Sequence, residues 1–117
     1  MNYWPPTDGV HGDFHGEPLS SAVIQKHLST ARLVRTTNHI GYHELEEEGR
    51  PVGDPQRRAL AVAGDDAEAR RLVADVIDRM GYDPVDAGSL VAATQFEPGT
   101  AIFEGHLRRD EMERQLA

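Results

Sequence analysis

The chain has 117 residues, 38% of them hydrophobic, with 12 Lys plus Arg against 20 Asp plus Glu and a net charge of −8. That length makes one domain with a lean core. So acidic a chain has no general attraction for nucleic-acid phosphates or anionic membranes; the lack of cysteine excludes disulfides and thiolate metal sites, and no apolar run is long enough to span a bilayer. No signal peptide opens the chain, so the expected compartment is the cytoplasm.

Residues 1 to 18 carry Pro5, Pro6, Gly9, Gly12, Gly16 and Pro18, the chemistry of loops, with Trp4 and Phe14 as large anchors. Trp4 beside two prolines is either a recognition element or, as the blander reading has it, a side chain packed over a core edge. A start at Met1 on such a turn implies that something precedes it. Ser20 or Ser21 is placed to cap a helix whose one face carries Val23, Ile24, His27 and Leu28, with His27 expected at the core edge. Ala31 to Thr37 reads as a strand centred on Leu33 and Val34. Thr36, Thr37, Asn38 and His39 close it, where open α/β sheets place ligands.

Ile40 to Glu48 reads as a short acidic helix or turn. His39 and His43 stand at i, i+4 near Glu44 and Glu47, and His11 and His15 repeat the spacing. No histidine follows Glu44 at zinc-motif distance, so a solvated acidic face is the expectation and no metal is assigned. Residues 49 to 57 form a loop.

The strongest signal runs from Arg58 to Gly88. Ala59 to Ala63 is an unbroken apolar run, the pattern of a strand buried on both faces. Asp65 is the expected N-cap, with Glu68 completing a variant capping box. Ala69, Leu72, Val73, Val76, Ile77 and Met80 form one apolar helical stripe, so Val73 and Val76 are expected against the sheet. Gly81 stops the helix at positive φ. Tyr82 to Asp86 starts a second strand, which Pro84 confines to a sheet edge or an irregular position. This is the repeating unit of a doubly wound α/β sheet. Ser89 to Thr94 is expected as a helical turn broken by Glu97, Pro98 and Gly99. Gly105 to Ala117 reads as a charged helix with Leu107, Met112 and Leu116 inward.

Five segments in one order, NYWPP, TTNHIGYHELEE, LAVAGDDAEA, GYDPVDAGSL and FEPGT, carry a resemblance covering nearly the whole chain. The chain resembles the NADPH-dependent oxidoreductases that reduce or oxidise a deazaflavin coenzyme (coenzyme F-420), and it resembles their second half. The resemblance implies a single incomplete Rossmann-like α/β domain over 1–117, with about three strands and flanking helices. It divides into a loop (1–18), strand and helix units (19–88) and a C-terminal loop and helix (89–117). The family's G-x-G-x-x-G turn, which holds the NADP pyrophosphate, is absent; Gly9, Gly12 and Gly16 lie in a loop with no preceding strand.

By this resemblance the cofactors are NADP and the deazaflavin. Asn2, Tyr3 and Trp4 fall near the nicotinamide. Thr36, Thr37, Asn38, His39 and Ile40 line the crevice, and Asp86, Ala87, Gly88, Ser89 and Leu90 form a loop on the deazaflavin side. No single catalytic residue is implied, because the two cofactors carry the hydride chemistry. Thr36–Thr37 and Ser89 depart from the family pattern. The expected partner is a separate NADP-binding half, or a second copy paired through a sheet edge at Ala31–Thr37 left open. The competing reading is a non-catalytic binding or oligomerisation module that kept the sheet; metal-dependent hydrolysis through the histidines is a distant third.

Overall fold

The computed structural model describes residues 2–117 except Trp4, His15 and Pro18; Met1 and these three lie outside the described residues, and with them the Trp4 anchor and the His11/His15 spacing. The order of elements is α1 (Pro5–Asp8), α2 (Ser20–His27), β1 (Val34–Arg35), α3 (Tyr42–Glu47), β2 (Ala59–Gly64), α4 (Ala67–Met80), β3 (Asp83–Gly88), a 3-10 helix (Leu90–Phe96), α5 (Ala101–Glu104) and α6 (Arg109–Leu116). The α/β class with three strands and flanking helices stands as expected. No helix among the described residues is long and apolar enough to cross a membrane.

The sheet order is β1-β2-β3, with β2 and β3 parallel and β1 antiparallel to β2. β2 is the predicted doubly buried strand. Ala59, Ala61 and Ala63 face a core with Leu19, Val85, Leu90, Ala93, Phe96, Ile102 and Met112. Leu60 and Val62 face the other way, against Ile77 and Tyr82. Alanines on one face let the 3-10 helix and α6 come close, while the larger side chains meet α4.

Pro84 lies in edge strand β3 as expected. The Asp83 N–H donates to Arg58 O (2.9 Å), and strand alternation then turns Pro84, which has no N–H, outward. Ala87 is an extra residue between the pairs Val62↔Asp86 and Ala63↔Gly88, a bulge that ends the ladder. Gly81 takes φ 105 at the end of α4, and a Cβ there would lie 2.6 Å from Arg50 N and Gly49 Cα. Only glycine fits.

Four expectations need correction. The N-cap of α4 is Asp66, whose carboxylate accepts from Ala69 N–H, while Asp65 Oδ1 accepts from Leu90 N–H (2.9 Å). Ser20 and Ser21 do not cap α2: Leu19 holds that position, and both hydroxyls are buried as acceptors for Arg35. His27 is not at a core edge but exposed, 3.7 Å from Asp13. The strand expected over Ala31–Thr37 shortens to Val34–Arg35, because side chains take over the pairing beyond it.

The α4 stripe is also divided. Ile77 is buried and Val73 partly so, but Leu72, Val76 and Met80 are 60%, 53% and 40% exposed. The expectation that Val76 faces the sheet is therefore wrong: a helix lying on one sheet buries a narrower arc than its apolar stripe spans. Ile77→Ala should cost about 2–5 kcal/mol, whereas Val76→Ala should change stability by less than about 0.5 kcal/mol. Urea unfolding of the two variants checks this, and equal losses would contradict the division.

Candidate functional site

The site grows from one problem of β2. Its odd residues turn their peptide groups toward β1. Ala63 pairs with Arg35 of the strand, and Ala59 N–H donates to Leu107 O (2.8 Å). Between them Ala61 has no partner in β1. Thr36 Oγ1 donates to Ala61 O (2.7 Å), and Ala61 N–H donates to His39 Nε2 (3.0 Å). An extended chain advances about 10 Å over three residues, yet Thr36 and His39 reach the same residue. The chain must curl between them, and it does so at Thr37, with φ 59. A β-branched residue in the left-handed region is strained by about 1–3 kcal/mol.

Because the Ala61 N–H is a fixed donor, His39 Nε2 is the acceptor and its proton sits on Nδ1. Nδ1 lies 3.1 Å from Asn38 Oδ1, which accepts it. That orients the Asn38 amide, whose Nδ2 donates to Phe96 O (3.0 Å) and toward Asn2 Oδ1 (3.3 Å). The His39 ring is buried against Phe96, with ring centres 5.0 Å apart. Burial first, then the Arg58 and Arg35 guanidiniums, lowers its pKa from 6.5 to about 4.

Two buried arginines frame this loop. Arg35 Nη1 donates to Ser20 Oγ (3.0 Å) and Ser21 Oγ (2.7 Å), and Nη2 to Asn2 Oδ1 (3.0 Å). Glu97 Oε1 is 3.0 Å from Nη2 in ionic contact without a formed hydrogen bond. Burial pushes the Glu97 carboxyl above its usual range, and Arg35 partly offsets this. Arg58 Nη2 donates to His39 O (3.0 Å), and Nη1 to Glu44 Oε2 (2.6 Å) and His106 Nδ1 (3.2 Å). The hydrogen bond from Arg58 holds the Glu44 carboxyl below its usual range.

A cleft of about 590 Å³ opens beside this framework, lined by Asn2, Thr37, Asn38, His39, Ile40, Gly41, Tyr42, Glu44, Arg58, Phe103 and His106. Its polar groups are mostly committed to one another. Its apolar side is formed by Ile40, Tyr42 and Phe103. That volume falls in the range of small-molecule sites.

Glu44, Glu48 and His106 also bring ligand atoms within 4.8 Å of one another. A cation is already there: Arg58 Nη1 is 2.6 Å from Glu44 and 3.6 Å from Glu48. His39 has both ring nitrogens engaged in the interior, and His43 is exposed. The two do not form a pair.

Of the expected site residues, Asn2, Thr37, Asn38, His39 and Ile40 come together. Asn2 Nδ2 donates to Asn38 O (2.9 Å), joining segments 36 residues apart. Thr36 lies behind them against β2. Tyr3 turns aside, with its hydroxyl donating to Gly9 O (2.8 Å) and accepting from His11 N–H (2.9 Å). Trp4 is outside the described residues. Asp86, Ala87, Gly88, Ser89 and Leu90 leave the sheet in the opposite direction, since β1 is antiparallel to its neighbour. Asp86 Oδ1 accepts from Gly88 N–H (2.8 Å) and pairs with Arg70 Nε (3.0 Å), Ala87 is the bulge, Ser89 is exposed and Leu90 is core. Sequence reading missed Arg58, His106 and Phe103. The signal for Arg58 was its place immediately before a doubly buried strand, where a charge needs partners.

No family model matches the chain, and no curated protein matches it. The crystal structure of hypothetical protein SMa0349 from Sinorhizobium meliloti is similar, with a TM-score of 0.69 and 27% identity, over 82% of this chain and 46% of that one. The chain thus spans about half the length of that protein. Its fold is a partial Rossmann-like α/β fold.

The neutral His39 gives a pH test. The unfolded ring takes up a proton near 6.5 and the folded one only near 4. Between these values the unfolded chain binds more protons, so stability is present above pH 6.5 and is lost as pH falls toward 4, by roughly 3 kcal/mol. Glu97, with its raised pKa, contributes in the opposite sense. The difference between the protein and His39→Gln, measured by urea unfolding at pH 7 and pH 4.5, isolates the histidine. Equal pH dependence in both would contradict its buried neutral state.

Proposed function

We propose that this chain supplies the second half of a cytoplasmic oxidoreductase that passes hydride between NADP(H) and a deazaflavin coenzyme, the phosphate-binding half coming from a preceding segment or a separate polypeptide. The observation that carries this reading is the meeting of Asn2 with Asn38. The resemblance assigns their two segments, NYWPP and TTNHI, to one cofactor crevice, and they are joined directly by hydrogen bonds at the mouth of the cleft.

The cofactors supply the hydride chemistry, so the protein must hold rings and exclude water. The cleft suits that task. Ile40, Tyr42 and Phe103 offer ring-facing surface, and the amides of Asn2 and Asn38 offer orienting groups. His39 holds the loop with a neutral ring and supplies no proton. The residues present do not suit the cofactor's phosphates. The N-terminus of α4, which follows β2 as a phosphate-binding helix would, is filled by the Asp66 carboxylate with Asp65 beside it. Those contacts belong to the other half.

A second reading is a binding or oligomerisation module without chemistry. The exposed Leu72, Val76 and Met80 on α4 favour it, being a surface suited to a partner.

The isolated chain should bind NADP weakly or not at all and show no hydride transfer between NADPH and the deazaflavin. Joining or adding a matching first half that carries G-x-G-x-x-G should restore both. Deazaflavin absorbance follows transfer, and fluorescence of Trp4, the sole tryptophan, follows binding. Tight NADP binding by the isolated chain would sink this reading, and a completed protein that binds neither cofactor would favour the module.

A further inference from the structure

The longest helix carries an uncovered apolar line. Leu72, Val76 and Met80 stand at i, i+4 and i+8 on α4 and are 60%, 53% and 40% exposed. At 100° per residue they form one narrow strip beside the buried arc of Val73 and Ile77. Along the solvent flank of that strip run Glu68, Arg71, Asp75 and Arg79, at i, i+3, i+7 and i+11. Their charges alternate: minus, plus, minus, plus. Arg71, Asp75 and Arg79 form no ion pair among the described residues, and Glu68 has only a 4.0 Å approach from exposed Arg32.

A pattern that alternates over an even number of positions becomes its own complement when reversed. Two such helices side by side and antiparallel about a two-fold axis bring identical flanks together. Glu68 then faces Arg79 of the other copy, and Arg71 faces Asp75. The same axis sets Leu72 against Val76. A parallel two-fold arrangement would set the two charged flanks on opposite sides of the seam, where they could not pair.

We propose that α4 is the contact surface for a second copy of this chain, packed antiparallel through Leu72, Val76 and Met80 and held in register by the Glu68–Arg79 and Arg71–Asp75 pairs. Such an interface is isologous, as two-fold dimers require. One helix of 14 residues makes a small contact, below about 1,200 Å² in total, the class of weak and transient interfaces. The net charge of −8 also repels copies at long range, although about 0.15 M salt confines that repulsion to roughly 8 Å. The dimer is therefore weak, forming at roughly 100 µM.

Sedimentation velocity from about 5 to 500 µM in 0.15 M salt tests it. The protein should pass from monomer to dimer, and Val76→Lys should remain a monomer with an unchanged melting temperature, since Val76 is exposed. The decisive arm uses the charges. Positions 68 and 79 lie about 16 Å apart along one helix, so they cannot pair within a chain. Glu68→Lys alone and Arg79→Glu alone should each be monomeric at 500 µM. Mixed in equal amounts they should dimerise, because both flanking pairs are then complementary. The double variant should dimerise like the parent. A parent that stays monomeric at 500 µM overturns the proposal, as does a mixture that stays monomeric. Protection of Val76 by an added first half, without any dimer, assigns the surface to that half and equally overturns it.

Discussion

The structure depends on how the peptide group of Ala61 is satisfied. β2 is buried on both faces and is paired by β3 along one side. On the other side β1 gives it only Val34 and Arg35. A buried peptide without partners costs several times what a made hydrogen bond contributes. Side chains therefore finish the ladder: the Thr36 hydroxyl takes the carbonyl and the His39 ring takes the amide. The curl at Thr37, the tautomer of His39, the orientation of Asn38 and the placement of Asn2 all follow from that one substitution. The cleft exists because the strand was replaced by a loop of side-chain bonds. The same substitution closes that edge of β2 to any further strand.

The central unit was legible because its signals are local. An unbroken apolar run marks β2, apolar spacing marks α4, Gly81 marks the stop and Pro84 marks an edge, and none needs knowledge of the rest of the chain. The short β1 was not legible. Arg35 ends the strand with 3% of its surface exposed, and its partners, Ser20 with Ser21, Asn2 and Glu97, come from three separate stretches. Serines before a helix read as caps; only a buried guanidinium makes them something else. Similarly, Asp65 fits the capping pattern with Glu68, but the 3-10 helix, through Leu90 N–H, takes its carboxylate and leaves Asp66 to cap α4. The expected crevice residues were half assembled by the fold. Asn2 and 37–40 converge, whereas 86–90 leave from the far side of β2, because strand direction cannot be read from strand composition.

Charge placement divides the molecule into unlike ends. At the carboxyl ends of β2 and β3 stand Asp65, Asp66 and Asp86, with Arg70 tied to Asp86 and to Gly64 O (2.6 Å). At the other end Arg58 is held beneath the cleft by Glu44 and His39 O. Arg57 closes the outer corner, its Nη2 on Asp78 O (2.6 Å) and its Nη1 on Asp83 Oδ1 (3.1 Å), joining the end of α4 to the start of β3. Each buried cation has fixed partners, so removing an acidic partner would leave a desolvated charge rather than a neutral gap.

That division bears on the phosphate question. A helix N-terminus following a strand is the usual anion seat of this fold class, since its free amides and dipole favour negative charge. In α4 the seat is taken from within: Asp66 accepts the Ala69 amide, and Asp65 accepts from Leu90. An incoming phosphate would have to displace one carboxylate and approach another. The hydrogen bonds gained would replace bonds already made, and the new charge would meet like charge. The cleft at the other end carries no such pair of carboxylates: His39 is neutral at physiological pH, and the Arg58 charge is met by Glu44. The carboxylates at the start of α4 and the cleft at the other end of β2 are thus chemically unlike: the first opposes an anion, whereas the second has an apolar side of Ile40, Tyr42 and Phe103.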